Sequence, residues 1–457
     1  GFELRKLVET RTFGGFLKAA VSGTLVVAGP WILSVASIAL AQGFGFVAAG
    51  EDSLAFTGAM VWAFALSMSL GAAPLNAFVR LTADLVYLGK LKQAADLLVK
   101  YALAATAVSL PLGIGFAFLL IRDPDNADLF RASFAILFAS SNVLWAAMTT
   151  ATVLRKHGRV VLAYALGMGL MLAAASWLGP RYGAAGALAA LAGGYASISV
   201  LLGAATLRDL GVESLPDALG RLLSYLRRYR FLALAGTATA AAAWADKAVY
   251  WLARGIAAEG TSLRVHPVHD TAFFYANLSL IPGLVFYTLA TETEFNLDLK
   301  RFLVFLGRRR RFDIEAARRR LAARAGRSLI DLFLFQAVVT LVIVVLAPRL
   351  AAALGFSERS FVLLAIGSLF QLAFIAAVNM LYYMELYRDA ALSAALFLGL
   401  NLALAIAAAQ SPKAPLGLPF AASAAAAAAL ALVLAFRGLE RLDRILYLRA
   451  SGDDYGL

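Results

Sequence analysis

The sequence predicts an all-α polytopic membrane protein, with twelve transmembrane helices in two parallel-repeat six-helix lobes around a central cavity. Three observations lead there. The composition is 61% hydrophobic and 15% charged, with a mean hydropathy of +0.78, whereas soluble domains run at about half apolar and a quarter charged. Apolar runs recur at lengths near the roughly 20 residues that a hydrocarbon core of about 30 Å demands. Lysine and arginine are also sorted by loop, as the orientation rule for membrane helices requires.

The runs fall at 18–41, 54–78, 99–121, 130–154, 160–178 and 184–207, then at 231–253, 271–291, 328–348, 360–384, 389–409 and 417–436. With the N-terminus inside, only Arg122, Arg131, Arg181, Arg254, Arg264, Arg349, Arg359 and Lys413 face outward and Lys247 lies within a span. The other 32 of the 41 basic residues are cytoplasmic. Both termini are therefore expected in the cytoplasm, with the chain in a bacterial inner membrane. The first span imitates a signal peptide through its basic start and Ala39-Leu40-Ala41. Its apolar run, near 22 residues, exceeds the roughly 7 to 15 of a signal sequence, so cleavage is not expected. Because residue 1 is glycine, the gene product is expected to begin a few residues upstream.

Several function classes are excluded. With no cysteine, disulfides and thiolate chemistry are impossible. The net charge of +13 is divided by membrane side and so does not form a nucleic-acid surface. No outer loop exceeds about 20 residues, too little for an extramembrane catalytic domain, so an enzyme such as a membrane-embedded glycosyltransferase is not expected. No cofactor is implied. His266-Pro267-Val268-His269-Asp270 is read as an outer loop and the one segment resembling a metal or acid–base cluster, but no third distant ligand accompanies it, and neither metal nor catalysis is assigned.

An internal duplication fixes the architecture. Gly23, Thr24 and Trp31 recur as Gly236, Thr237 and Trp244 at an offset of 213, and spans 9 to 12 follow spans 3 to 6 at offsets of 229–233. An insertion of about 16 residues before span 9 separates the two offsets. Six spans per half make the repeats parallel, with substrate expected between them near the midplane. The expected divisions are an N-terminal lobe at 1–207, a cytoplasmic linker at 208–230, a C-terminal lobe at 231–436 with a basic cytoplasmic segment at 292–327, and a tail at 437–457. An amphipathic interfacial helix is expected from Phe2 to Phe16.

Gly1-Phe2-Glu3-Leu4-Arg5-Lys6-Leu7, Gly29-Pro30-Trp31, Asp246-Lys247 with Trp251, Pro282-Gly283 before Glu292-Thr293-Glu294-Phe295, and Tyr382-Tyr383 with Arg388 resemble the Pel exopolysaccharide transporters. That family belongs to the multidrug/oligosaccharidyl-lipid/polysaccharide exporter superfamily. The resemblance implies export of a cationic amino-sugar polymer for biofilm matrix. It also implies a cytosolic glycosyltransferase partner and other Pel inner-membrane subunits, one of them a cyclic di-GMP receptor. A flippase of lipid-linked oligosaccharide, or a multidrug exporter of the same superfamily, is the alternative reading.

Charged groups inside spans are costly and raise functional hypotheses. Asp246 leads. It could attract a cationic sugar, carry a coupling proton or simply pair with Lys18 or Lys247. Since adjacent helical residues point about 100° apart, Asp246 and Lys247 are expected to face different surroundings, with Lys247 able to snorkel to the outer boundary. Glu292 and Glu294 form an acidic cytoplasmic mouth, or merely offset nearby arginines. Asp331 and Glu385 are interfacial, and Asn142, Asn277, Gln371, Asn379 and Asn401 could hydrogen-bond sugar hydroxyls or join helices. Trp31 and Trp244, at matching repeat positions, are the aromatic pathway candidates. Gly29, Pro30, Pro282 and Gly283 are hinge candidates or static kinks. Arg308, Arg309, Arg310, Arg311, Arg318, Arg319 and Arg320 are expected to contact anionic lipids or a cytosolic synthase.

Overall fold

The computed structural model describes residues 29–154, 156–288, 293–306, 311–411 and 414–445. The segment 2–16, Lys18, Glu292, Arg308, Arg309 and Arg310 lie outside the described residues, as do the side chains of Trp31, Glu294 and Arg311. Among the described residues the regular structure is helical: α1 (Gly29–Gly43), α2 (Glu51–Tyr87), α3 (Leu91–Leu120), α4 (Ala127–Val153), α5 (His157–Leu210), α6 (Ala218–Arg228) and α7 (Arg230–Arg254), then α8 (Pro267–Leu278), α9 (Leu280–Phe286), α10 (Thr293–Leu306), α11 (Arg311–Leu354), α12 (Glu358–Tyr383), α13 (Tyr387–Gln410) and α14 (Leu418–Glu440). Eight of these are long and apolar enough to cross a membrane. Counting α5 as two, and adding α1, α7 and the broken pair α8–α9, they correspond to the twelve expected spans.

The chain divides into two compact units. The first holds Gly29–Trp244 and Tyr250–His266; the second holds Ala245–Val249 and, among the described residues, everything from Pro267 onward. The first unit thus runs past the expected lobe boundary at 207, and α7 contributes to both.

In the first unit α4 is central, packed along α2, α3 and α5. Its sequence suits that position because Ser133, Ser141, Asn142 and Thr150 are buried, and each bonds the carbonyl four residues back at 2.6–2.9 Å. Small polar residues satisfied this way let helices approach closely. The two apolar runs within α5 are separated at Gly183, whose φ of 56° and ψ of −137° reverse the backbone. A Cβ there would sit 2.9 Å from the Asp52 carboxylate, which accepts the Ala184 N–H at 3.1 Å. Asp52 therefore satisfies a free donor at the start of the second run and places a negative charge where the helix dipole favours it. In the expected linker, α6 is fastened to α2 by Tyr225, which donates to Asp84 at 3.0 Å. Burial and the adjacent carboxylate push the Tyr225 hydroxyl above its ordinary pKa.

In the second unit the corresponding fourth helix, α12, packs against α8, α11 and α14. In α4 67% of the most apolar stretch is buried and in α12 61%, against 17–50% in the other six candidate spans. The two halves thus bury the same member of their repeat. α14 is an alanine ridge, with Ala421, Ala424, Ala427, Ala428, Ala431 and Ala435 buried. Span eight is in two pieces. Pro282 has no N–H to close the helix behind it, and Ser279 interrupts the run between α8 and α9. Gln336 on α11 donates its Nε2 to the Ser279 carbonyl at 2.9 Å. Gly283 makes room for this contact, since a Cβ would lie 2.1 Å from Gln336 Oε1 and 2.4 Å from Leu372.

Candidate functional site

The second unit contains a buried charged network, centred on Asp246 and Lys247. Both are buried, at 0% and 2% exposure. Lys247 Nζ donates to Asp246 Oδ1 at 2.9 Å, so the expectation that the two face apart and that Lys247 snorkels outward is corrected. Their Cβ atoms do diverge, but a four-carbon stem is long enough to curl back onto its neighbour's carboxylate. Once the ammonium is removed from water, that pairing outweighs the divergence. The ammonium also lies 3.0 Å from the ring centre of Phe273 and 5.0 Å from that of Phe420, a cation–π enclosure.

Two further groups complete the carboxylate's shell. His269 Nε2 lies 3.1 Å from Asp246 Oδ2, and Asn401 Nδ2 donates to Oδ1 at 3.3 Å. The segment read as an outer loop is thus partly helical: α8 begins at Pro267, a residue suited to a first helical turn. His269, two positions on, is turned inward and 1% exposed. Four residues from α7, α8 and α13 consequently converge in one network, and Asp270 attracts Lys247 electrostatically. Lys247 and Asn401 donate to Asp246, and His269 Nε2 donates in the tautomer that carries its proton there, so the arrangement suits an anion. With Asp246 ionised and Lys247 charged, the pair is neutral and can remain buried. Adding or removing one positive charge would upset it.

The other candidates are dispersed. Trp244 belongs to an aromatic cluster in the first unit, its ring centre 6.0 Å from Trp251, which is 5.4 Å from Trp62. Trp62 Nε1 in turn donates to the Arg264 carbonyl at 2.7 Å. Asn379 is half-buried on α12, outside the Asp246 network. Glu385 has a φ of 58°, and its N–H bonds the Tyr382 carbonyl at 3.0 Å while that of Leu386 reaches Leu381 at 2.8 Å. It therefore occupies the left-handed position that ends a helix, usually glycine's. Gly29 and Pro30 are buried at the first described turn of α1, where the Pro30 carbonyl accepts from Ser34 at 3.0 Å. Arg318 reaches the Glu440 carbonyl and Asp443, and Arg319 pairs with Glu315 at 2.6 Å.

Sequence reasoning missed the roles of His269 and Asn401. The signal for the first was Pro267 followed by apolar residues in helical spacing. For the second only its polarity was visible. Also buried without a protein partner are Gln336 Oε1, Thr340 Oγ1, Ser368 Oγ and Gln371 Oε1 on α11 and α12, the kind of atoms that ordered water satisfies.

The fold that holds this network is shared with several transporters of one superfamily. A structure titled "Inward-facing conformation of a multidrug resistance MATE family transporter of the MOP superfamily" aligns with a TM-score of 0.59 and 13% identity over 93% of this chain and 95% of that one. A MATE transporter in the straight conformation aligns at 0.62 and 14%, covering 93% and 97%. A MOP superfamily transporter from Pyrococcus furiosus Vc1, whose title reports reverse polarity of its binding pocket, aligns at 0.63 and 14%, covering 93% and 96%. No curated protein matches the sequence. The model of the PelG family, described as "Putative exopolysaccharide Exporter (EPS-E)", matches residues 1–447. A multi-pass chain with a MOP-superfamily transporter fold, matched along nearly its whole length, belongs to the PelG family of exopolysaccharide exporters.

Proposed function

We propose that this protein exports a Pel-type cationic amino-sugar polymer across the bacterial inner membrane to the periplasm for biofilm matrix. In this reading the export is coupled to a cytosolic glycosyltransferase and to other Pel inner-membrane subunits, including a cyclic di-GMP receptor. Both termini are cytoplasmic, and the two six-helix lobes are 1–207 and 231–436, joined by the linker at 208–230. The loop charge distribution supports the orientation, and the internal offsets support the lobes.

The observation that carries the reading to a residue is the Asp246 carboxylate, held as an anion at membrane depth by Lys247, His269 and Asn401. A cation arriving at Asp246, whether a proton or an amino group of the polymer, competes with the Lys247 ammonium for the same oxygen. Displacing that ammonium would loosen the ties among α7, α8 and α13, so occupancy and helix packing become linked. Gly283, packed against Gln336, is the second proposed moving part. Glu292 and Glu294 provide a cation-attracting entrance, and Trp31, Trp244, Asn379 and Glu385 are subsidiary pathway residues.

Asp246→Asn keeps the shape and removes the charge. At matched protein levels it is expected to lower cell-surface polymer at least tenfold while polymer accumulates inside. Normal surface polymer would refute the role given to Asp246. Loss of both pools would place the defect in synthesis.

A further inference from the structure

The first and second halves differ sharply between their second and third crossings. In the first half α2 ends at Tyr87 and α3 begins at Leu91, a link of three residues. The second half places α10 and the charged start of α11 at the equivalent point. There α10 and α11 form a cleft of about 280 Å³ lined by Asp298, Arg301, Asp313, Arg320 and Arg324 among others. Asp298 acts as an anchor for the arginines, lying 2.7 Å from Arg324 and 3.5 Å from Arg301. Arg320 is exposed and makes no ion pair among the described residues.

Three guanidiniums and two carboxylates leave the cleft with an uncompensated positive charge, and a guanidinium fork matches phosphate oxygens. Position along α11 identifies the source of the phosphate. The apolar run starts at Ser328, four residues beyond Arg324 and eight beyond Arg320. At a rise of about 1.5 Å per residue these lie roughly 6 and 12 Å outside the hydrocarbon, in and just beyond the headgroup layer. Phe312, 82% exposed at the start of α11, follows Arg308-Arg309-Arg310-Arg311 in sequence, and an exposed aromatic beside basic residues suits a bilayer surface. Further along, α11 also lines an apolar cavity of about 440 Å³ with α12 and α14, bordered by Gly326, Phe333, Phe370, Ala429 and Phe436, room for hydrocarbon.

We propose that the α10–α11 cleft binds the phosphate of an anionic phospholipid through Arg301, Arg320 and Arg324, fixing this added hairpin to the membrane surface. Asp298 holds Arg301 and Arg324 in place, and Arg320 supplies the unpaired donor.

The test uses the full chain purified in detergent and titrated with dioleoylphosphatidylglycerol, dioleoylphosphatidylcholine or inorganic phosphate. Thermal unfolding and native mass spectrometry provide the readouts. Phosphatidylglycerol is expected to raise the Tm and remain as bound adducts, while the other two do neither. Arg320→Gln breaks no ion pair, so it should leave the lipid-free Tm unchanged and weaken phosphatidylglycerol binding about threefold. The R320Q/R324Q double variant should weaken it at least tenfold, and Arg359→Gln, beyond the far end of α11, should not weaken it at all. Equal stabilisation by phosphatidylcholine or by inorganic phosphate overturns the assignment, as does full phosphatidylglycerol binding by the double variant.

Discussion

Two lysine–aspartate pairs show how depth changes the meaning of the same contact. Near the start of α3, Lys100 sits 2.6 Å from Asp96, with the lysine side chain 34% exposed and the aspartate 12%. Asp96 also accepts the Leu215 N–H at 2.8 Å, and Lys100 donates to the Leu215 carbonyl at 2.9 Å. The four groups staple the 211–217 segment to a helix end, and water completes the lysine's solvation. On α7 the Lys247–Asp246 pair is slightly longer, at 2.9 Å, but its side chains are 2% and 0% exposed. Removing two ions from water costs several kcal/mol each, which the pairing only partly recovers. A fold that needed only a staple could use uncharged residues in its place, which is why the proposed role falls on Asp246 and not on Asp96.

The largest expected effect breaks or confirms this contrast directly. Asp246→Asn should reduce surface polymer at least tenfold, whereas Asp96→Asn should leave it within twofold, both measured at matched protein levels. Equal losses in both would erase the distinction. Stability sharpens it next. Asp246→Ala leaves a buried ammonium without its counter-ion and should cost about 3–5 kcal/mol. The Asp246→Ala/Lys247→Met double variant should recover most of that loss, as read by unfolding in detergent. A double variant as unstable as the single would show that the pair is not the unit that matters.

Smaller still, Asp96→Asn should cost about 1 kcal/mol, the scale of a part-exposed hydrogen-bonded pair. The smallest effect concerns Glu385. With its φ of 58°, Glu385→Gly should change stability by less than about 1 kcal/mol, because relief of left-handed strain offsets the loss of the side chain, and should lower surface polymer about twofold. Unchanged export would remove Glu385 from the pathway.

The helices were legible because hydrocarbon thickness imposes a length that soluble proteins do not share. Asp246 was legible because a carboxylate in an apolar run is costly and calls for a partner or a task. The surroundings of Asp246 were hidden for physical reasons. Lys247 turns back by side-chain torsions that backbone periodicity does not encode. His269 was assigned to a loop because hydropathy places the start of the span at residue 271, while the helix already begins at Pro267. Asn401 lies 155 residues from Asp246, and nothing local to either residue pairs them. The arginine cleft was visible only as a charge run, since its concavity depends on how α10 lies against α11.

The burial of α4 carries a consequence for biogenesis. It is the most enclosed of the candidate spans, yet its mean hydropathy of 1.4 is the lowest among them, because contact with neighbouring helices replaces contact with lipid. A segment with so modest an individual affinity for hydrocarbon must depend on its neighbours while the ribosome is still delivering them. Nascent chains halted just after residue 156 should therefore hold this segment less firmly in the membrane than chains extended through Leu210, a difference that glycosylation-site mapping of arrested intermediates can register.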